Sequence, residues 1–129
     1  MVFGLNLCDH SNMPTALIVD DHAAFRASAK TLLQDEGFQV IGEAEDGRSG
    51  LELARALDPD LVLLDVALPD VSGLDVAERM AGGHSKVVLV SSRRPEDFGA
   101  RLREAPVLGF ISKDELSGAV LVQLLEESS

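Results

Sequence analysis

Four polar positions follow apolar runs in this chain: Asp20-Asp21 after ALIV, Asp65 after LVLL, Ser91-Ser92 after VVLV, and Lys113 after GFIS. Like charges about 5 Å apart repel by roughly 3 kcal/mol at an effective dielectric of about 20, so three carboxylates in one cleft call for a cation. An oxygen-only acidic set suits Mg²⁺, which commonly takes one or two carboxylates together with substrate phosphate and several waters. Asp65 is then the candidate nucleophile, because an aspartate can carry a phosphoryl group covalently. The Ser91 hydroxyl would hydrogen-bond a phosphoryl oxygen, and Lys113 would neutralise another as a point charge. That combination is the electrostatic clamp of phosphoryl transfer.

Such a clamp requires elements that bring distant residues together. Five apolar runs read as strands: Ala16–Val19, Phe38–Ala44, Leu61–Leu64, Val87–Val90 and Val107–Ile111. Between them the spacing is helical. Phe25, Ala29, Leu32 and Leu33 share one face, as do Gly50, Leu53, Ala54 and Leu57, then Gly73, Val76, Ala77 and Met80. Pro95–Glu104 is short and charged, with Gly99 inside it, and Asp114–Glu127 closes the chain. Gly37, Pro59, Gly82-Gly83 and Pro106 fall between these segments. Strands alternating with helices imply βαβ units with right-handed crossovers, hence one doubly wound α/β domain with helices on both faces of a parallel sheet. In such a sheet ligands bind outside the carboxyl ends of the strands, where the strand order reverses. If the order is 2-1-3-4-5, the four polar positions line one cleft and the second strand stands aside.

Bulk properties narrow the partners. The chain has 129 residues, enough for one domain with a real core. Its 22 acidic and 11 basic residues give a net charge of −11, which argues against direct binding of nucleic acid or an anionic membrane by this chain. Cys8 is the single cysteine, so no internal disulfide forms and a reducing, cytoplasmic setting is expected. No apolar run approaches the length that spans a bilayer. Residues 1–13 read as a loosely ordered leader and residues 14–129 as the domain. His22 beside two aspartates invites a zinc reading, but without a second His or Cys nearby it reads as a solvated histidine.

IVDDH, LLDVALPDVSG, VVLVSS and GFISK, in that order and spacing, closely resemble the receiver domain of two-component response regulators, from about Thr15 to the end. The resemblance implies the flavodoxin-like fold, with five parallel strands in the order 2-1-3-4-5. It implies that Asp65 accepts a phosphoryl group from a phosphohistidine on a sensor histidine kinase. Mg²⁺ would be held by the carboxylates of Asp21 and Asp65 and the backbone carbonyl of Ala67, with Asp20 acting mainly through a bound water. Ser91 and Phe110 match the family's switch pair, in which the hydroxyl moves to the phosphate and the ring turns inward, a two-state element biased by local charge.

The chain also departs from the common pattern. Asp114 follows Lys113 where many relatives carry proline, so this bond should be trans. GFISKDEL resembles the subfamily whose full-length members carry a LuxR-type helix-turn-helix output domain. Ser92 and Ala67 occupy positions that bear on how long the phosphate survives. The apolar residues Leu116, Val120, Leu121, Val122, Leu124 and Leu125 make a broad stripe on the last segment. That stripe implies packing against the sheet and first helix, or a contact for a homodimer or an output domain. The expected function is a phosphorylation-activated signalling switch whose only catalysis is its own phosphotransfer and autodephosphorylation. The competitors are a haloacid-dehalogenase-type phosphatase, a flavodoxin-like binder, and a receiver-like domain acting without phosphorylation.

Overall fold

The computed structural model describes residues 13–127; the expected leader lies almost entirely outside them, together with Cys8. Five strands, β1 (Thr15–Val19), β2 (Gln39–Ala44), β3 (Leu61–Asp65), β4 (Lys86–Ser91) and β5 (Gly109–Ser112), form one parallel sheet in the order β2-β1-β3-β4-β5. The helices are α1 (Ala23–Asp35), α2 (Gly47–Leu57), α3 (Gly73–Met80), α4 (Ala100–Glu104) and α5 (Gly118–Glu127). Single 3₁₀ turns occupy Pro95–Phe98 and Lys113–Glu115. The doubly wound order that the resemblance implied is the observed one.

Strand alternation sorts the core into two layers. Leu17 and Val19, Val62 and Leu64, and Val87 and Leu89 face α2 and α3. Ala16 and Ile18, Leu61 and Leu63, and Val88 and Val90 face the α1 and α5 side with Leu33 and Leu121. Every residue of β3 is buried, as a central parallel strand requires. Two glycines permit close approach. A Cβ on Gly50 would fall 2.7 Å from Val19 Cγ1, so α2 lies directly on β1. A Cβ on Gly73 would fall 2.1 Å from the Asp65 carbonyl, so α3 starts against the end of β3.

The structure corrects three boundaries. Val107 and Leu108 precede β5, although the Leu108 N–H already bonds the Val87 carbonyl at 2.8 Å. The last helix begins at Gly118 and not at Asp114, because Lys113–Glu115 closes a 3₁₀ turn and Ser117 Oγ accepts the Val120 N–H at 3.2 Å as a cap. Gly99, at φ 62° and ψ −145°, divides Pro95–Glu104 into a 3₁₀ turn and the five-residue α4. The stripe of the last segment is largely absorbed: Leu121 is fully buried, and Leu116, Leu124 and Leu125 pack on the α1-side core, leaving Val120 exposed. No helix among the described residues is long and apolar enough to cross a membrane.

Candidate functional site

Register puts the polar residues side by side. Val19 pairs with Leu64, Asp65 with Val90, and Ser91 with Ser112, so Asp20, Asp65, Ser91 and Lys113 leave the sheet at one edge. Asp20 is fully buried, with its N–H bonded to the Ala44 carbonyl at 2.9 Å. Lys113 Nζ lies 2.6 Å from Asp20 Oδ2 and 3.5 Å from Asp65 Oδ2. That buried Asp20 oxygen has the Lys113 ammonium as its ionic neighbour and no other polar partner among the described residues. The same ammonium sits 4.5 Å from the centre of the Phe25 ring, which supports it from α1.

Asp65 is almost wholly buried, and its Oδ1 accepts the Ala67 N–H at 3.2 Å. Burial raises its pKa, the Asp20 charge raises it further, and Lys113 with the Ala67 N–H only partly offset them, leaving it at about 6. The cleft therefore holds more negative charge than one lysine balances. Ligand atoms of Asp20, Asp21, His22 and Asp65 all lie within 4.8 Å of one another. A carboxylate set of this kind is typical of Mg²⁺ sites, and the partly compensated charge of Asp20 and Asp65 fits a divalent cation.

The remaining expected residues take distinct places. Asp21 is more open than Asp20 and contacts His22 Nδ1 at 3.1 Å. The bond after Lys113 is trans. Ser91 is buried and its Oγ accepts the Arg93 N–H at 3.0 Å. Ala67 lies in the loop beyond β3, in an isolated bridge with Ser72. Phe110 is half-buried on β5 and faces the α2-side layer, its ring centre 6.1 Å from that of Phe98.

Two supporting residues, Arg26 and Asp70, escaped the sequence reading, and His22 has a contact beyond the one expected. The exposed His22 ring is solvated as expected, yet its Nδ1 also lies 3.1 Å from Asp20 Oδ1. Arg26 donates to the Asp20 carbonyl at 2.7 Å and to Glu43 Oε1 at 3.1 Å, tying the β1–α1 turn to the end of β2. Asp70 accepts the Gly47 and Arg48 N–H groups, which hold its carboxyl below the usual range and pin the β3–α3 loop to the start of α2. Asp46, which caps α2 through the Ser49 N–H, carries a local signal, since Asp before a helical pattern is a start mark.

Residues 16–126 match the family described as the response regulator receiver domain. The chain is a receiver domain. It is 37% identical over 117 residues to the response regulator GacA of Pseudomonas syringae pv. syringae, covering 88% of this chain and 53% of that one. A LuxR-family two-component response regulator from Aurantimonas sp. SI85-9A1 superposes with a TM-score of 0.78 at 26% identity, covering 90% of this chain and 84% of that one. A CheY-like receiver domain protein from Methanospirillum hungatei JF-1 gives a TM-score of 0.76 at 25% identity, covering 91% and 94%. This receiver domain spans about half the length of the curated relatives it matches. The family is that of phosphorylation-activated signalling modules, and the phosphatase and flavin-binder readings find no support.

Proposed function

We propose that this receiver domain accepts a phosphoryl group on Asp65 from a phosphohistidine of a sensor histidine kinase and relays it as a conformational change. The observation that carries this reading is the convergence of Asp20, Asp65 and Lys113 within one buried cleft. In the transfer, an Asp65 carboxylate oxygen forms a bond to phosphorus as the phosphorus–nitrogen bond of the donor breaks, and its electron pair stays on the departing imidazole nitrogen, which takes a proton from solvent. Asp65 Oδ1 is steadied by the Ala67 N–H, while Oδ2 faces the Lys113 ammonium, which offsets charge on the phosphoryl oxygens. Asp20, Asp21, Asp65 and the Ala67 carbonyl would hold Mg²⁺, whose role is to neutralise charge on the transferring group. The Ser91 hydroxyl would donate to a phosphoryl oxygen, and Phe110 would follow.

The module acts as a cytoplasmic switch, its turnover limited to its own phosphotransfer and autodephosphorylation. Its output would pass to a LuxR-type DNA-binding domain or to a second copy through the α5 side. The experiment adds beryllofluoride with Mg²⁺ to the wild-type chain and to Asp65→Asn. A Mg²⁺-dependent change in the amide NMR spectrum of the first alone is expected. An equal response in both would remove Asp65 as acceptor, and no response in the wild type would favour a receiver-like domain that works without phosphorylation.

A further inference from the structure

Between Ser91 and Phe110 runs a series of contacts that neither residue's proposed role explains. The Arg93 N–H bonds Ser91 Oγ at 3.0 Å. The Arg93 guanidinium carbon lies 5.7 Å from the centre of the Phe98 ring, within the range of a cation–π contact. The Phe98 ring in turn meets Phe110 at 6.1 Å between centres, tilted by 54°, within the separation at which aromatic pairs interact. The segment carrying this stack is internally braced. Pro95 opens the 3₁₀ turn, the Arg94 N–H bonds Asp97 Oδ2 at 3.3 Å, and the Asp97 N–H returns to the Arg94 carbonyl at 3.0 Å. It ends at Gly99, whose φ of 62° and ψ of −145° lie in a region that side chains exclude. A Cβ there would meet nothing within 4 Å, so backbone conformation and not space selects glycine.

We infer that Phe98 is a positioning residue that couples Ser91 to Phe110, the Arg93–Phe98 turn moving as one piece about Gly99. The inference rests on the proposed switch roles of Ser91 and Phe110. When the Ser91 hydroxyl turns toward a phosphoryl oxygen, the Arg93 N–H either releases it or follows. The two Arg94–Asp97 hydrogen bonds oppose taking up that movement inside the turn. It therefore passes to the Phe98 ring and from there to Phe110. Without the Phe98 ring, the hydroxyl can turn while Phe110 stays where it was.

The test follows ring NMR signals of ¹³C-labelled phenylalanine and backbone amides near Asp65, with and without beryllofluoride and Mg²⁺. The wild type should respond at both places. In Phe98→Ala the amide response near Asp65 should persist, while the ratio of switched to unswitched Phe110 falls roughly three- to tenfold, the weight of one aromatic pair. Phe98→Leu keeps apolar bulk and should show the same loss, which settles the matter if the alanine variant does not fold, and Phe98→Tyr should restore the response. A Phe110 response in Phe98→Leu equal to that of the wild type would overturn the inference and leave the proposed function intact. A wild type silent near Asp65 would overturn both.

Discussion

Asp60 and Asp65 bracket the same strand, and the protein treats them in opposite ways. Asp60, before β3, accepts the Thr15 N–H at 2.8 Å and the Thr15 hydroxyl at 3.2 Å, and His84 Nε2 lies 2.7 Å from its other oxygen. Burial pushes its pKa up, but the Thr15 and His84 hydrogen bonds outweigh burial and hold it below the ordinary value of 3.8. Asp65, at the other end, is buried beside Asp20 and sits at about 6. One carboxylate fastens β1, β3 and the α3–β4 loop together. The other is kept in an environment that disfavours its charge, and such groups concentrate where chemistry is done. The difference separates the stabilising end of the sheet from the end proposed to be reactive.

Substitutions can sharpen or break that contrast. The largest effect is expected from Lys113→Met, which leaves Asp20 and Asp65 facing each other and should cost about 3 kcal/mol of unfolding free energy in urea titrations. Millimolar Mg²⁺ should recover part of that loss, because it supplies the missing positive charge. Asp65→Asn should act in the opposite direction. Removing a disfavoured charge should stabilise the metal-free protein at pH 7 by on the order of 2 kcal/mol while abolishing the beryllofluoride response. If Asp65→Asn melted earlier than the wild type, the claim of a strained reactive end would fail.

Asp60→Ala should destabilise by about 1 kcal/mol, through the lost Thr15 hydrogen bonds, with the beryllofluoride response unchanged. The smallest and most diagnostic effect is in pH dependence, where the two carboxyls carry opposite signs. Asp60 has a lowered folded pKa, so its contribution is present above the unfolded value of 3.8 and disappears as pH falls through the folded one. Asp65 has a raised folded pKa, so its protonated form favours folding at low pH and that benefit is lost as pH rises through about 6. Urea midpoints between pH 3 and 8 should show Asp60→Asn converging with the wild type toward the acid end. Asp65→Asn should draw ahead of the wild type toward neutral pH.

The reactive end was legible in the sequence because each of its residues ends an apolar run, and the run places the residue. β1, β3 and β4 were plain for the same reason, being buried on both faces. The fastening end was not. Asp60 and His84 are 24 residues apart and Thr15 and Asp60 are 45 apart, with no periodicity to link them. His84 lies in the loop before β4, and its partner comes from the tertiary fold. Arg93 and Arg94 are both exposed, yet the Arg93 guanidinium lies over Phe98 and the Arg94 N–H bonds Asp97, contacts that no periodicity marks. Boundaries shifted where a polar cap outranked the apolar pattern, as Ser117 does at the start of α5.

The five-residue α4 buries none of its residues and is too short to hold its shape from its own hydrogen bonds. Its amides should therefore be among the first to exchange with deuterium, while those of β1 and β3 wait for global unfolding. On the proposed function, a surface recast so cheaply would let one added charge be read by a neighbouring protein while the sheet beneath keeps its packing.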